Sequence, residues 1–309
     1  MRIVAEHLSY TYNASSPFAV NALKDVSLTI EEGDFFGIIG HTGSGKSTFV
    51  QHLNGLIRLP SSLKRRYKQK VKRGEVPPPL PQLTVGEFDL ANHKTDFRAL
   101  RSKVGMVFQY PEYQLFAETV LKDVAFGYQN FAQNKQTNEE VQAAVKAALE
   151  EVGLDYDELK EKSPFDLSGG QKRRVAIAGV IVSRPEILVL DEPAAGLDPQ
   201  GKQEIMELLH KLHREWCKTI IIVSHDMDEI AENCNRVAVF SEGEVKYVLP
   251  PEELFEKSEE LEALGLDVPL VASLTFALRK KGVDLHNDFT VEGFIKSVLD
   301  DSKREGGGE

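Results

Sequence analysis

Apolar residues fall along this chain in two rhythms, and the switching between them predicts most of its elements. Short continuous runs read as strands covered on both faces: Phe35-Phe36-Gly37-Ile38-Ile39, Val104 to Phe108, Ile187-Leu188-Val189-Leu190 and Thr219 to Val223. Residues 2–8 and 22–30 are also predicted strands, with Leu23, Val26, Leu28 and Ile30 in partial period-2 alternation. Another strand is expected over 84–90, and a hairpin from Val237–Phe240 to Glu244–Val248 across Glu242-Gly243. Between these runs the spacing becomes helical. Phe49, Val50, Leu53, Leu56 and Ile57 recur on one face, and so do Val141, Val145, Ala148, Leu149 and Val152. Helices are expected over 97–102, 119–130, 138–152, 175–183, 200–216 and 227–233, the fourth closed by Arg184-Pro185.

Strands alternating with helices imply a parallel sheet with crossover connections. Ligands of such sheets bind beyond the carboxyl ends of the strands. Gly40, Gln109, Asp191 and His225 stand at four of those ends.

Two stretches break the pattern. Arg58 to Arg73 holds eight basic residues and no acid, and Pro77-Pro78-Pro79-Leu80-Pro81 follows as a stiff spacer. Residues 58–82 are read as an exposed insertion, either a solvated loop or a surface for anionic lipid headgroups or RNA. From Pro250 the composition shifts: residues 252–267 carry seven acids and one lysine, and amphipathic helices are expected over 268–278 and 289–299. The expected organisation is a domain over 1–248 with a helical subdomain over about 110–183, a helical appendage over 249–303 and a disordered tail over 304–309.

Charge and cysteine usage narrow the function classes. The 309 residues sum to a net charge of −11, which argues against a nucleic-acid partner for the chain as a whole. Cys217 and Cys234 lie outside any metal-ligand spacing and are read as free thiols of a reducing compartment, with a disulfide between them as the alternative. The first residues lack a signal-peptide layout, and no run approaches about 18 apolar residues, so a cytosolic location is expected.

The candidate chemistry begins at Gly40-His41-Thr42-Gly43-Ser44-Gly45-Lys46-Ser47-Thr48, which fits G-x-x-x-x-G-K-[ST] between a buried strand and a helix. Its glycines let backbone N–H groups approach phosphate oxygens, Lys46 brings a mobile cation and Ser47 a hydroxyl for Mg²⁺. Hydrolysis of a nucleotide γ-phosphate needs a carboxylate for the metal and a group to orient or deprotonate water. Asp191 and Glu192 fit these needs, with His225 and Gln109 as hydrogen-bonding partners in the same crevice. Tyr10 or Tyr12, after the first strand, either stacks on a base or packs the sheet edge. Ser168-Gly169-Gly170-Gln171 is a second anion-friendly turn. It lies over a hundred residues from the first, which suggests service to a nucleotide held by another copy or a paralogue.

The ordered set GHTGSGKST, Gln109, LSGGQ at 167–171, ILVLDE at 187–192, GLDP at 196–199 and His225 resembles the ATP-binding-cassette (ABC) ATPases over about residues 1–248. Within that family the chain looks like the ATP-binding subunits of energy-coupling factor (ECF) transporters. This closer likeness rests on IIGHTGSGKST, HLNGL at 52–56, VGMVFQYPEYQLF at 104–116, LDEPAAGLDPQG at 190–201 and the acidic appendage. QYPEYQLF is more similar to the second of the two paralogous ATPases usual in such importers. The resemblance implies an α/β P-loop NTPase core with a mixed sheet, a helical subdomain and a small C-terminal helical appendage. It also implies that the chain is the ATP-hydrolysing subunit powering uptake of vitamins or other micronutrients.

Carried over by position, Tyr12 would stack on adenine, and Gly40 to Thr48 would hold the phosphates of ATP and Mg²⁺. Ser47, Gln109 and Asp191 would hold the metal, Gln109 also coupling to the membrane subunit. Glu192 would be the general base, and His225 would contact the γ-phosphate. Ser168, Gly169, Gly170 and Gln171 would act in trans on the opposite subunit's ATP, with Asp198 at the subunit boundary. The implied partners are a second ATPase, a paralogue or another copy, in a head-to-tail dimer, a transmembrane coupling protein and a substrate-binding membrane subunit. These place the chain peripherally at the cytoplasmic face of the membrane, with no nucleic-acid partner expected. Residues 58–82 depart from the family, where a short turn is usual. An ATPase of another ABC importer type and a soluble ABC protein acting on ribosome or DNA are the alternatives.

Overall fold

The period-2 alternation within the buried runs divides the interior into two cores. The computed structural model describes residues 1–306 apart from 15, 62, 132–135, 284 and 286–288. Its strands are β1 (Ile3–Tyr12), β2 (Val20–Ile30), β3 (Phe35–Ile39), β4 (Gln82–Val85), β5 (Phe88–Asp89), β6 (Val104–Val107), β7 (Ile187–Asp191), β8 (Thr219–Val223), β9 (Arg236–Ser241) and β10 (Glu244–Leu249). Six of them form one sheet in the order β10-β9-β3-β8-β7-β6, parallel except for β10. Phe35, Ile39, Leu188, Leu190, Ile220, Ile222, Val237 and Val239 face one core. Phe36, Ile38, Ile187, Val189, Ile221, Val223, Ala238 and Phe240 face the other. A sheet covered on both faces needs apolar residues at every position, which is why its strands read as unbroken runs.

The second core lies between this sheet and an antiparallel one of order β2-β1-β4-β5, together with α1 (Lys46–Leu53). The antiparallel sheet supplies Leu8, Leu23, Val26 and Leu28. It is tied to the β9–β10 turn where the Lys24 N–H donates to the Gly243 carbonyl at 2.7 Å. The strand expected over 84–90 is instead the β4–β5 hairpin, turned at Gly86 with φ 54°.

The chain after β2 carries α2 (Leu63–Lys72) and α3 (Phe97–Lys103). The basic stretch expected to be a loop is therefore helical. Lysine, arginine and glutamine are good helix formers, and Leu63 and Tyr67, one turn apart, give the helix a half-buried side. The first core is closed by α4 (Val120–Phe131), α5 (Asn138–Glu151), α6 (Tyr156–Leu159) and α7 (Gly169–Ile181), which form the helical subdomain. The helix expected from Val175 begins six residues earlier. Its apolar periodicity starts late, but Ser168 and Gln171 form a capping box that starts the helix at Gly169.

Then come α8 (Pro199–Glu215), α9 (Met227–Asn233), α10 (Pro251–Phe255), α11 (Ser258–Ala263), α12 (Leu270–Arg279) and α13 (Val291–Gly306). Leu254, Phe255, Leu261 and Ala272 of the appendage are buried in the first core. Residues 304–306, expected in a disordered tail, continue α13, since Lys303, Arg304 and Glu305 favour helix until glycine intervenes. Residues 307–309 of that tail lie outside the described residues. Cys217 and Cys234 are free and buried, and burial pushes the Cys217 thiol up to about 12.

Candidate active site

The turn from β3 into α1 is shaped by backbone that approaches too closely for any side chain. A Cβ at Gly40, where φ is 150°, would lie 2.2 Å from the Phe240 carbonyl oxygen. One at Gly45, with φ 106°, would lie 2.6 Å from the Ala22 carbonyl oxygen. Gly45 is also the residue before the first turn of α1, so no side chain caps that helix, and its first turn carries no acid. By contrast α3, α5, α7, α8 and α9 each have a side chain accepting from their first-turn N–H groups. The free N–H groups of α1 thus fit an anion, as the aligned peptide dipoles also favour. Lys46 Nζ meanwhile donates to the Gly40 and His41 carbonyls, at 2.5 and 3.0 Å.

Tyr12, the loop from Thr42 to Thr48, Gln109, Asp191 and Glu192 line one crevice of 430 Å³. Tyr12 reaches it from the end of β1, its hydroxyl 3.3 Å from Thr48 Oγ1. Tyr10 instead packs edge-on against His52, at 4.9 Å, and does not line the crevice. His41 is exposed and bonds through Nδ1 to the Thr42 carbonyl, at 2.9 Å. Asp191 ends β7, and the Ser47 hydroxyl donates to its carboxylate. Burial raises the Asp191 pKa, against that hydrogen bond, and the nearby Glu192 charge raises it further. Burial lowers the Lys46 pKa, while the charges of Glu192 and Asp191 oppose that shift. A half-buried cation and two half-buried acids therefore share one space.

Glu192 is held in the left-handed region, φ 54°, where its N–H donates to the Val223 carbonyl at 2.8 Å. A non-glycine residue there costs about 1–3 kcal/mol, which the β7–β8 pairing sustains. Its carboxylate lies 2.7 Å from His225 Nδ1, and the Glu192 side chain is 12% exposed against 73% for His225. The carboxylate is thus sheltered and the imidazole faces solvent.

Ser168, Gly169, Gly170 and Gln171 are not brought to this crevice. They open α7, with the Gln171 N–H donating to Ser168 Oγ at 3.3 Å and the Ser168 N–H to Gln171 Oε1 at 3.1 Å. Gly169 and Gly170 are exposed, and a Cβ on either would meet nothing within 4 Å. Asp198 caps α8, accepting from the Gly201 N–H at 2.8 Å.

Two features escaped sequence reasoning. Glu229 of α9 has a buried Oε1 without a hydrogen-bond partner, and burial, followed by the Asp226 and Glu192 charges, raises its pKa to about 7. Asp226 itself pairs with Lys202 at 2.7 Å. The second feature is a groove of 740 Å³ between the core and the helical subdomain, lined by Leu56, Arg58, Phe97, Phe108, Phe116 and Phe126, among others. The aromatic-rich stretch after Gln109 was the visible signal for that groove. Nothing local marked Glu229.

A model of the family described as ABC transporter matches residues 23–195. An energy-coupling factor transporter ATP-binding protein EcfA2 of Clostridioides difficile is 46% identical over 301 residues, covering 97% of each chain. Another so named, from Symbiobacterium thermophilum, is 48% identical over 288 residues, covering 93% of this chain and 92% of its own. Among solved structures, cbiO1 of Clostridium perfringens, part of the ABC transporter complex cbiONQ, superposes with a TM-score of 0.67 at 35% identity. It covers 89% of this chain and 98% of its own. The ATP-binding cassette MJ0796, as a dimer bound to ADP and Pi after hydrolysis, superposes with a TM-score of 0.67 at 28% identity. The match covers 80% of this chain and 98% of that one.

Proposed function

The chain belongs to the ABC transporter family of ATPases, and from that premise we propose that it is the ATP-binding and hydrolysing subunit of an energy-coupling factor importer, powering uptake of vitamins or other micronutrients. One observation carries the catalytic half of this reading: the uncapped start of α1 faces a crevice that also holds Lys46, Asp191 and Glu192. The nearly full-length similarity to ECF ATP-binding proteins supports the transport half.

In this reading the N–H groups from Gly40 to Thr48 and Lys46 bind the phosphates, and Tyr12 stacks on the adenine. Ser47, Gln109 and Asp191 offer only oxygen donors on this side of the crevice, which suits Mg²⁺. Among the described residues no group of three or more His, Cys, Asp or Glu could hold a metal unaided, so phosphate oxygens would complete its shell. Bound there, Mg²⁺ supplies charge that offsets the phosphate oxygens. Glu192 takes the proton of the attacking water, and His225 holds that carboxylate in place while reaching the γ-phosphate. Ser168 to Gln171 close on ATP held by a second ATPase subunit arranged head to tail. The open space over Gly169 and Gly170 supports that approach. Asp198 lies at the same boundary.

The aromatic groove beside Gln109 receives the transmembrane coupling protein, which in turn carries a substrate-binding membrane subunit. Exposed Phe116 and Phe126, in edge-on contact at 4.9 Å, are its apolar floor. This docking sets the chain at the cytoplasmic face as a peripheral subunit. No helix of the described residues is long and apolar enough to cross a membrane.

The test is extraction in mild detergent followed by ATPase assay. The chain is expected to leave the membrane bound to a multi-span protein. Glu192→Gln should lower turnover about a thousandfold while ATP still binds. A chain that purifies free of membrane protein, or a variant with near-parental turnover, overturns the reading.

A further inference from the structure

The basic helix α2 plays no part in the ATPase site, and its charges are left over by the fold. Eight of the chain's thirty-seven basic residues fall within Arg58 to Arg73, so the remaining twenty-nine are set against all forty-eight acids. The helix is anchored from one side. Leu63 and Tyr67 are half-buried over a cavity of 470 Å³, which Lys70 also lines and whose other walls are Pro77 to Pro81, His7, Ser9 and Asp25. Arg65, Lys68, Gln69, Lys72 and Arg73 follow at spacings of three, four, seven and eight, and all are exposed. This is one continuous helical face. Among the described residues no carboxylate pairs with Arg65, Lys68, Lys72 or Arg73, and the ion pairs of the molecule lie elsewhere. Like charges three and four residues apart destabilise a helix, so folding alone gives no reason for the row.

The location of the row narrows its partner. The segment leaves the core at Leu56 and Arg58, on the rim of the aromatic groove, with the Arg58 guanidinium 4.0 Å from the centre of the Phe97 ring. We propose that the outward face of α2 is a membrane-contact surface, its lysines and arginines resting on anionic lipid headgroups beside the docked coupling protein. The inference rests on the assignment of that groove to the coupling protein. A straight row of cations beside exposed Val71 and Val76, 51% and 98% accessible, suits a flat anionic interface with a shallow apolar layer. The row lacks the outward aromatic residues on which nucleic-acid bases stack, since Tyr67 is turned to the cavity. A nucleic acid running past the helix would also meet a strongly acidic remainder of the chain.

Co-sedimentation of the full chain with vesicles tests this. Phosphatidylcholine vesicles with added phosphatidylglycerol should bind it, with a steep loss on adding salt, and pure phosphatidylcholine should not. The combined substitutions Arg65→Gln, Lys68→Gln, Lys72→Gln and Arg73→Gln should weaken that binding about a thousandfold. ATP binding by the Lys46 loop, unchanged in the variant, verifies its fold. If the combined variant fails that control, Lys68→Glu with Lys72→Glu serves in its place, with the same loss expected. Equal binding by parent and variant, equal binding to both vesicle types, or tighter binding to a duplex RNA than to the anionic vesicles would overturn the proposal. Capture of the coupling protein in lipid-free detergent is scored separately. Its failure with vesicle binding intact counts against the groove assignment, and the converse counts against α2.

Discussion

At Gly40 an added Cβ would press to 2.2 Å from a neighbouring backbone oxygen, whereas at Gly169 and Gly170 it would touch nothing within 4 Å. Both turns open a helix, and both are built from Ser and Gly. In the first, glycine is demanded by the chain's own backbone, and the helix that follows has no side-chain cap. In the second, a capping box satisfies the turn internally and the glycines face empty space. A turn whose glycines serve its own packing, ahead of an uncapped helix, is a half-site shaped for an anion. A turn that is already satisfied, yet keeps glycine where alanine would favour the helix, leaves room for something outside the chain. The difference between the two turns supports reading the ATP site as shared between subunits.

The sharpest way to break this comparison is to fill the empty space. Ser168→Arg should leave ATP binding to the Lys46 loop within about twofold of the parent. It should lower turnover of the assembled pair about a thousandfold, the scale of losing a charge-stabilising donor. Ser168→Ala is the control, since it loses the cap, at about 1 kcal/mol, but not the room. If Ser168→Arg abolishes ATP binding to its own chain, the two turns are not separate half-sites.

The next test exchanges the same atom in both turns. Gly40→Ala should destabilise the fold by about 2–4 kcal/mol, because the Phe240 backbone and the Ser44 side chain would both have to move. The melting temperature should fall by roughly 3–6 °C. Gly170→Ala, in the first turn of α7, should leave the melting temperature unchanged or slightly raised while lowering turnover of the pair. Calorimetry and steady-state kinetics read the two effects apart. Equal destabilisation of both variants would remove the contrast.

The two turns also differ in how far the sequence alone explains them. The first could be read completely, because its pattern is contiguous and the buried runs around it permit only one kind of sheet. The same holds for α9, whose bounds follow from Asp226 as a cap just before an apolar pattern. At α7 apolar periodicity and capping chemistry disagreed, and the cap decided where the helix starts. Helix α2 was hidden because its apolar side is only Leu63 and Tyr67, completed by prolines further along the chain. The groove joins residues from Asn54 to Ser183, and no window along the sequence spans it. The Glu229 pKa depends on its burial and on the nearby Asp226 and Glu192 charges, which is a property of packing and not of sequence order.

That acid, close enough to Glu192 to feel its charge, supplies the smallest test, which asks whether pH dependence resides beside the crevice and not in the solvated turn. Burial and the Asp226 and Glu192 charges hold Glu229 at about 7, against an ordinary value near 4.5, while Lys202 and His225 pull the other way. The folded chain therefore keeps a proton that the unfolded chain releases. This contribution to stability is fully present below about pH 4.5 and is lost as the pH rises through about 7. Glu229→Gln removes the ionisation and retains the shape. The variant should exceed the parent by about 1–2 kcal/mol at mildly alkaline pH, with the gap closing toward pH 5. Thermal melts of both proteins across that range measure it. The loss in Ser168→Ala, at an exposed uncharged cap, should stay constant over the same range. A Glu229→Gln gap that does not change with pH would mean that the space beside Glu192 is wetter than the burial of Glu229 implies. The contrast between a desolvated half-site and an open one would then be weaker than the glycines suggest.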